Sequence, residues 1–228
     1  MDWIVKIRKA MRKRQLRYLI KGEAPAADRV GRAVDAIIER ARRDERNGVR
    51  KDLWLFDFEG GYEEISDAIL YLKESKETAA YRDLCGKLYA YAAETMKDTY
   101  MPLYLTIVYR YADALSETGE AEESLKLFEE LYTRTDRLIG IDNPYGIHCL
   151  ARIAEAAVRC GRPGRAEDAL QEMAGIAREE FGPRSAMMLA VQRVAARLTG
   201  KAHPAPEGGE GLKGMQTCDC IRTDFGIQ

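Results

Sequence analysis

The chain has 228 residues, 46% of them hydrophobic, and a formal net charge of −1, so it can form one domain or one continuous repeat array. The balanced charge argues neither for nor against a nucleic-acid partner, and no apolar run approaches the roughly 18 residues of a transmembrane helix. The charged N-terminus lacks a signal-peptide core and the five scattered cysteines indicate reduced thiols, so we expect a cytoplasmic protein.

Residues 2–21 are predicted to form one basic amphipathic helix with a charge of +7. Its apolar face carries Trp3, Ile4, Ile7, Met11 and Tyr18. Such a helix either packs its apolar face on the next helix or binds an anionic surface, which would be nucleic acid or a membrane. Both alternatives stay open at this point.

A second helix is predicted over residues 27–46, and Asn47 with Gly48 ends it. Residues 53–58 then form a dense apolar cluster ahead of Gly60 and Gly61. Because no second strand candidate exists to pair with this cluster, we expect an irregular plug that covers the start of the following array. Residues 1–58 are therefore predicted as an N-terminal segment of two helices and a plug.

The stretch 104–185 repeats itself at a spacing of 42 residues. The matching pairs are Ala112 and Ala154, Asp113 and Glu155, Ala114 and Ala156, Gly119 and Gly161, Phe128 and Leu170, Leu131 and Met173, and Gly140 and Gly182. In each copy one helix-period segment stops at a glycine and a second begins about two residues later. Fixed-period similarity of this length is typical of stacked helix pairs.

The residue types at these positions explain how such helix pairs pack. Small residues, such as Ala112 on the first helix and Ser124 on the second, let two helices approach closely, and large apolar residues fill the space between them. Gly119 allows the left-handed conformation that ends the first helix. The spacing of these residues resembles the tetratricopeptide (TPR) repeat family, and the period of 42 resembles its kinesin-light-chain-like subtype.

This resemblance implies an all-α, right-handed α-solenoid of antiparallel helix pairs that serves as a protein-interaction scaffold. Residues 62–75 and 78–97 align as a degraded repeat in which Lys76 replaces the turn glycine, and residues 186–199 are predicted to be a terminal capping helix. The array is thus predicted over residues 59–200. Residues 201–228 are predicted to be a flexible, glycine-rich tail.

In the TPR-like fold the first helix of each pair lines a concave groove. Carried over by position, the partner-binding residues would be Glu63, Tyr109, Asp113, Glu117, His148, Glu155 and Arg159. Four of these residues are acids and one is a tyrosine. The resemblance therefore implies a groove that binds a basic or amphipathic peptide; the alternative is a set of solvated helix faces.

No sequence motif predicts catalysis, a cofactor or a metal ion, so we expect a protein that is not an enzyme. Cys218 and Cys220, with the distant His203, fall short of a four-ligand zinc set. The glycine spacing from Gly209 to Gly214 matches a dinucleotide fingerprint only in its letters, because no strand precedes it. Cys85, Cys149 and Cys160 fall at helix-period positions and are predicted to be small core residues.

Three alternatives to a peptide-binding groove remain. Residues 2–21 would bind nucleic acid or an anionic membrane, or the chain would sense a peptide and regulate through a partner. The basic N-terminus and acidic middle also allow self-association into a homo-oligomer. In a variant of this idea, residues 221–228 of the tail occupy the groove.

Overall fold

The computed structural model describes residues 13–14, 16–22 and 25–200. Residues 13–14 and 16–20 are helical. The helices that follow are α1 (Ala26–Arg46), α2 (Lys51–Glu74), α3 (Thr78–Thr95), α4 (Met101–Glu117), α5 (Ala121–Ile139), α6 (Pro144–Arg159), α7 (Pro163–Phe181) and α8 (Ala186–Thr199). Within these ranges the fold is all-α, as predicted.

The chain divides into two compact units at Thr118 and Gly119. In the first unit α1 packs on α2 and α3, and α3 packs on both α2 and α4. In the second unit α6 packs on α5, α7 and α8, and α7 packs on α8. Helices that follow one another in sequence therefore pack side by side within each unit, as expected of stacked helix pairs.

The ends of α1, α2 and α6 share one type of turn. Gly48, Lys76 and Gly161 all have positive φ, and Lys76, with φ of 61°, is the one non-glycine residue of the described chain in this conformation. After α2 the Glu77 amide donates to the Leu72 carbonyl over 2.9 Å, which closes the turn as in a Schellman motif. The degraded repeat therefore keeps the turn geometry without the glycine.

The expected irregular plug at residues 53–58 is wrong, because these residues lie inside α2. Trp54, Leu55 and Phe58 are buried at helical spacing and continue the inner face of α2. The two glycines that suggested a break are helical, and a Cβ atom on Gly61 would lie 3.1 Å from the Ile37 side chain. Gly61 therefore allows α1 and α2 to approach closely.

The predicted core positions are largely confirmed. Ala112 and Ala154 are fully buried, as is Ser124. Cys85 and Cys149 are buried, whereas Cys160 is only half-buried at the end of α6. The predicted capping helix exists as α8.

Several predictions lie outside the described residues. They include the helix over residues 2–12 and the tail over residues 201–228, with its cysteines, histidine and glycine motif. The division into segments 1–58, 59–200 and 201–228 stays a prediction. In the described part of the chain, no helix is both long enough and apolar enough to cross a bilayer.

Candidate partner-binding surface

The predicted groove residues lie in two groups. The first unit holds Glu63 on α2 and Tyr109, Asp113 and Glu117 on α4; the second holds His148, Glu155 and Arg159 on α6. Glu63, Glu117 and Arg159 are exposed, Tyr109 and Glu155 are half-buried, and Asp113 and His148 are buried. The seven residues therefore differ widely in what they present to solvent.

Asp113 connects three helices of the first unit. Its side chain is 1% exposed, and its Oδ2 accepts hydrogen bonds from Lys73 Nζ of α2 at 2.8 Å and from the Tyr81 hydroxyl of α3 at 2.9 Å. Burial and the neighbouring Asp113 charge raise the pKa of Tyr81, so this hydroxyl stays protonated and donates. Removing one partner from such a buried pair typically costs about 3–5 kcal/mol.

Arg110 lies beside this cluster on α4. Burial opposes its charge, but the neighbouring tyrosines and the Asp113 carboxylate together outweigh that effect, so the pKa of Arg110 is raised. Its guanidinium carbon lies 5.8 Å from the centroid of the Tyr109 ring, which is a cation–π distance. Tyr109 thus contacts the neighbouring side chain of its own helix.

Glu155 has a comparable role in the second unit. Its carboxylate accepts a hydrogen bond from Arg152 at 2.8 Å and pairs with Arg197 of α8. The guanidinium of Arg152 also lies 5.5 Å from the centroid of the Phe128 ring. Glu155 therefore joins α6 to the capping helix, and its side chain is 16% exposed.

The two acids at matching repeat positions are both neutralised within the fold. Asp113 pairs with a lysine 40 residues earlier, and Glu155 pairs with an arginine 42 residues later. Their charges are accordingly used to hold helices together. The exposed acids on the same faces are Glu63 and Glu117, and Glu117 lies 3.9 Å from Lys73.

The predicted inner face of α6 also includes an apolar residue, Val158. It is 43% exposed and precedes Arg159. An exposed valine beside an exposed arginine suits a partner with both apolar and acidic groups.

A surface pocket between α1 and α3 was missed by the sequence analysis. It measures about 370 Å³ and is lined by Asp35, Ile38, Glu39, Arg42, Lys87, Ala90, Tyr91 and Glu94. Lys87 pairs with Asp35 over 2.9 Å, and the Arg42 guanidinium lies 5.7 Å from the Tyr91 ring centroid. No sequence motif marks this pocket, because its lining depends on how α1 packs against α3.

The buried cysteines do not provide a reactive thiol. Burial raises the pKa of both Cys85 and Cys149 to about 12, so both are protonated near neutral pH. In the ranges 13–14, 16–22 and 25–200, no three histidine, cysteine or acidic side chains lie close enough together to hold a metal ion.

The fold defined by these helices is that of TPR-like repeats. Two crystal structures of Podosopora anserina putative kinesin light chain nearly identical TPR-like repeats, one of them a variant with a single substitution, match this chain with TM-scores of 0.51 and 0.52. Each is 16% identical, and each match covers 73% of this chain and 85% of the solved one. No protein-family model and no curated protein matches the sequence. At this identity the likeness shows the fold, and the 42-residue subtype stays a prediction.

Proposed function

We propose that this protein is a binding scaffold that holds a segment of a partner protein on the first helices of its repeats. The observation that carries the proposal is the TPR-like fold, whose first helices here carry exposed or half-buried side chains, with Glu117 and Arg159 at equivalent positions of two repeats. Within the first unit the binding face would consist of Glu63, Tyr109 and Glu117. Within the second unit it would consist of Val158 and Arg159.

The partner segment would be basic or amphipathic where it meets the first unit. Glu63 and Glu117 supply exposed carboxylates, and Tyr109 supplies an aromatic ring beside the Arg110 guanidinium. Tyrosine is a frequent binding hot spot because its ring buries a large area with little loss of side-chain freedom. Asp113 and Glu155 would support the face from below, since internal cations already pair with them.

We further propose that the protein binds rather than catalyses, and that it does so in the cytoplasm. Support for binding comes from the groups that ordinarily react: the thiols of Cys85 and Cys149 are buried and protonated. The Asp113 carboxylate is likewise occupied by Lys73 and Tyr81. Support for the cytoplasm comes from the same cysteines, which are unpaired and buried.

Site-specific photo-crosslinking in cells tests the location of the binding face. A photoreactive residue replaces Thr106 on α4 or Val158 on α6, both exposed on first helices; Lys126 on α5 and Glu167 on α7 are matched exposed controls on second helices. We expect a discrete adduct of one protein from the first-helix positions. Adducts of equal yield at Lys126 and Glu167, or none at Thr106 and Val158, would contradict the proposal.

Affinity for the crosslinked partner, measured with purified proteins, tests the aromatic contact. Tyr109→Ala should weaken binding about tenfold or more, as expected for a hot-spot tyrosine. Tyr71, which is 36% exposed on α2 and outside the proposed face, provides the control Tyr71→Ala. Equal losses from the two changes would remove Tyr109 from the binding face.

A further inference from the structure

An apolar stripe runs along the exposed side of α2. Leu53 and Phe56 are 53% and 67% exposed, and Val49, in the turn before the helix, is 38% exposed. Gly60 continues the line, because positions 53, 56 and 60 follow at intervals of three and four residues and so share one helix face. We call Val49, Leu53, Phe56 and Gly60 the α2 stripe. Its three apolar side chains are left in water by the fold of the single chain.

Gly60 weakens the helix that contains it. A glycine inside a helix is less favourable than alanine, because its backbone loses more freedom on folding. The neighbouring Gly61 is explained within the fold by the close Ile37 side chain, whereas a Cβ atom on Gly60 would meet nothing within 4 Å. Gly60 therefore leaves a gap in an otherwise apolar line, and such a gap suits the close approach of another helix.

The charges beside the α2 stripe change sign along the helix. The exposed charged residues from 46 to 53 are Arg46, Arg50, Lys51 and Asp52, so this end is basic by two charges. From 57 to 67 they are Asp57, Glu63, Glu64 and Asp67, so that part is acidic by four charges. A parallel copy of α2 would set acid against acid, whereas an antiparallel copy sets the basic end against the acidic part. The charges are therefore complementary to those of a second, antiparallel copy.

We propose that two copies of this protein pair through the α2 stripe, with their α2 helices antiparallel. A twofold axis between positions 54 and 55 places Leu53 of one copy against Phe56 of the other, and Gly60 beside Val49. Each contact then occurs twice, as a twofold interface requires. Another partner would have to supply a matching apolar line with the matching order of charges, whereas a second copy of this chain carries both.

Sedimentation equilibrium of the full-length protein tests for the dimer. The contact involves one face of one helix, so it falls below the size of a standard interface and the dimer should be weak. We expect the mass to rise with concentration from the chain mass of 25.7 kDa towards twice that value. A chain that stays monomeric at its highest soluble concentration would overturn the proposal. If Leu53→Glu also lowered the Tm of that monomer, the stripe would be covered by another part of the same chain.

Matched leucine substitutions identify the surface that pairs. Leu53→Glu should weaken dimerisation about tenfold or more, because it places a carboxylate in the apolar contact. Leu138 of α5 is 48% exposed and lies outside the stripe, so the control Leu138→Glu should change the dimer constant by less than about twofold. Circular dichroism confirms that both variants remain folded. Equal losses in the two variants would show that the α2 stripe is not the interface.

Glycine substitutions separate dimerisation from the folding of the single chain. Gly60→Gln should leave the Tm of the monomer unchanged or raise it, because glutamine favours helix and meets open space there. The same change should weaken the dimer about tenfold, since it fills the gap beside Val49 of the second copy. Gly175 of α7 is open in the same way, and polar Gln171 and Glu179 lie one turn from it, so Gly175→Gln is the control. An unchanged dimer constant in Gly60→Gln would overturn the close approach of the two helices.

Single cysteines test the antiparallel order. In a chain with Cys160, Cys218 and Cys220 changed to serine, Leu53→Cys or Asp67→Cys supplies one exposed thiol. A short bismaleimide should join two copies through position 53, which lies near the twofold axis. The two copies of position 67 would be about 35–40 Å apart along antiparallel helices, beyond the reach of the reagent. Crosslinking at position 67 as well would indicate parallel helices and overturn the proposal.

Discussion

The clusters around Asp113 and Glu155 occupy the same position of two successive repeats yet differ in depth. Asp113 is 1% exposed and receives one lysine and one tyrosine; the Glu155 side chain is 16% exposed and receives two arginines. The shorter aspartate is buried with one charged and one neutral donor, whereas the longer glutamate has two guanidinium donors, of which Arg197 is 57% exposed. A repeated spacing in the sequence thus fixes where an acid lies, and the surrounding residue types decide how much stability depends on it.

The largest expected effect is that folding protects one buried cysteine in each unit from chemical modification. In a chain with Cys160, Cys218 and Cys220 changed to serine, Cys85 and Cys149 should react with maleimide about 1,000-fold more slowly than in the unfolded chain. Burial raises both pKa values to about 12, so the two thiols favour the folded state below about pH 9 and lose that contribution as the pH rises towards 12. If either thiol reacted with maleimide in neutral buffer as fast as in the unfolded chain, the predicted protection by folding would be contradicted. Different rates for the two thiols would show that the units open separately.

Alanine substitutions at Asp113 and Glu155 test whether the more deeply buried acid contributes more to stability. Asp113→Ala should lower the free energy of unfolding by about 3 kcal/mol, because it leaves the Tyr81 hydroxyl and Lys73 only their more distant acceptors, the Arg110 carbonyl at 3.4 Å and Glu117 at 3.9 Å. Glu155→Ala should cost only about 1 kcal/mol, since Arg197 is more than half exposed and can turn to water. Urea unfolding followed by circular dichroism measures both. Equal losses would mean that burial depth does not set the contribution of this position.

Two tyrosines of α3 test whether a hydroxyl bonded to Asp113 contributes more to stability than a buried hydroxyl without that bond. Tyr81 and Tyr91 are both buried, but Tyr81 donates to Asp113, whereas the Tyr91 hydroxyl makes no hydrogen bond with the described residues. Tyr81→Phe should therefore cost about 1.5 kcal/mol, while Tyr91→Phe should leave stability unchanged or raise it, because it removes a buried hydroxyl that makes no hydrogen bond. Thermal unfolding of the two variants measures the difference, and the reverse order would refute the assignment.

The smallest effect concerns the turns, where the first unit has Lys76 and the second has Gly161. Lys76 adopts a left-handed conformation that favours glycine, so Lys76→Gly should raise the free energy of unfolding by about 0.5–1 kcal/mol. Gly161→Ala, at φ of 68°, should lower it by about 1 kcal/mol. Urea unfolding measures both changes. A destabilising Lys76→Gly would show that contacts of the lysine side chain outweigh its backbone strain.

The sequence predicts the helices and their turns well because those depend on local spacing. The small residues at 112 and 154 and the glycines at 119 and 161 identify the repeats without any structure. Residues 53–58 were misassigned because a glycine pair usually ends a helix, whereas Gly61 serves the approach of α1, which is a contact between distant residues. The sequence also does not predict that Asp113 pairs with Lys73 or that Glu155 pairs with Arg197. A repeat predicts the face on which a residue lies and not its partner. For this reason the predicted acidic groove carries less free charge than its residue types suggested.

The pairing of Glu155 with Arg197 has a consequence for how such a chain can lengthen. Positions 113, 155 and 197 share one frame of the 42-residue period and carry aspartate, glutamate and arginine in turn. Copying the Glu155 repeat once more ahead of α8 would copy Arg152 with it, so each added glutamate would keep a partner on its own helix. Only the last copy would also meet Arg197. An array lengthened by gene duplication would therefore carry this glutamate–arginine link between helices only at its last repeat.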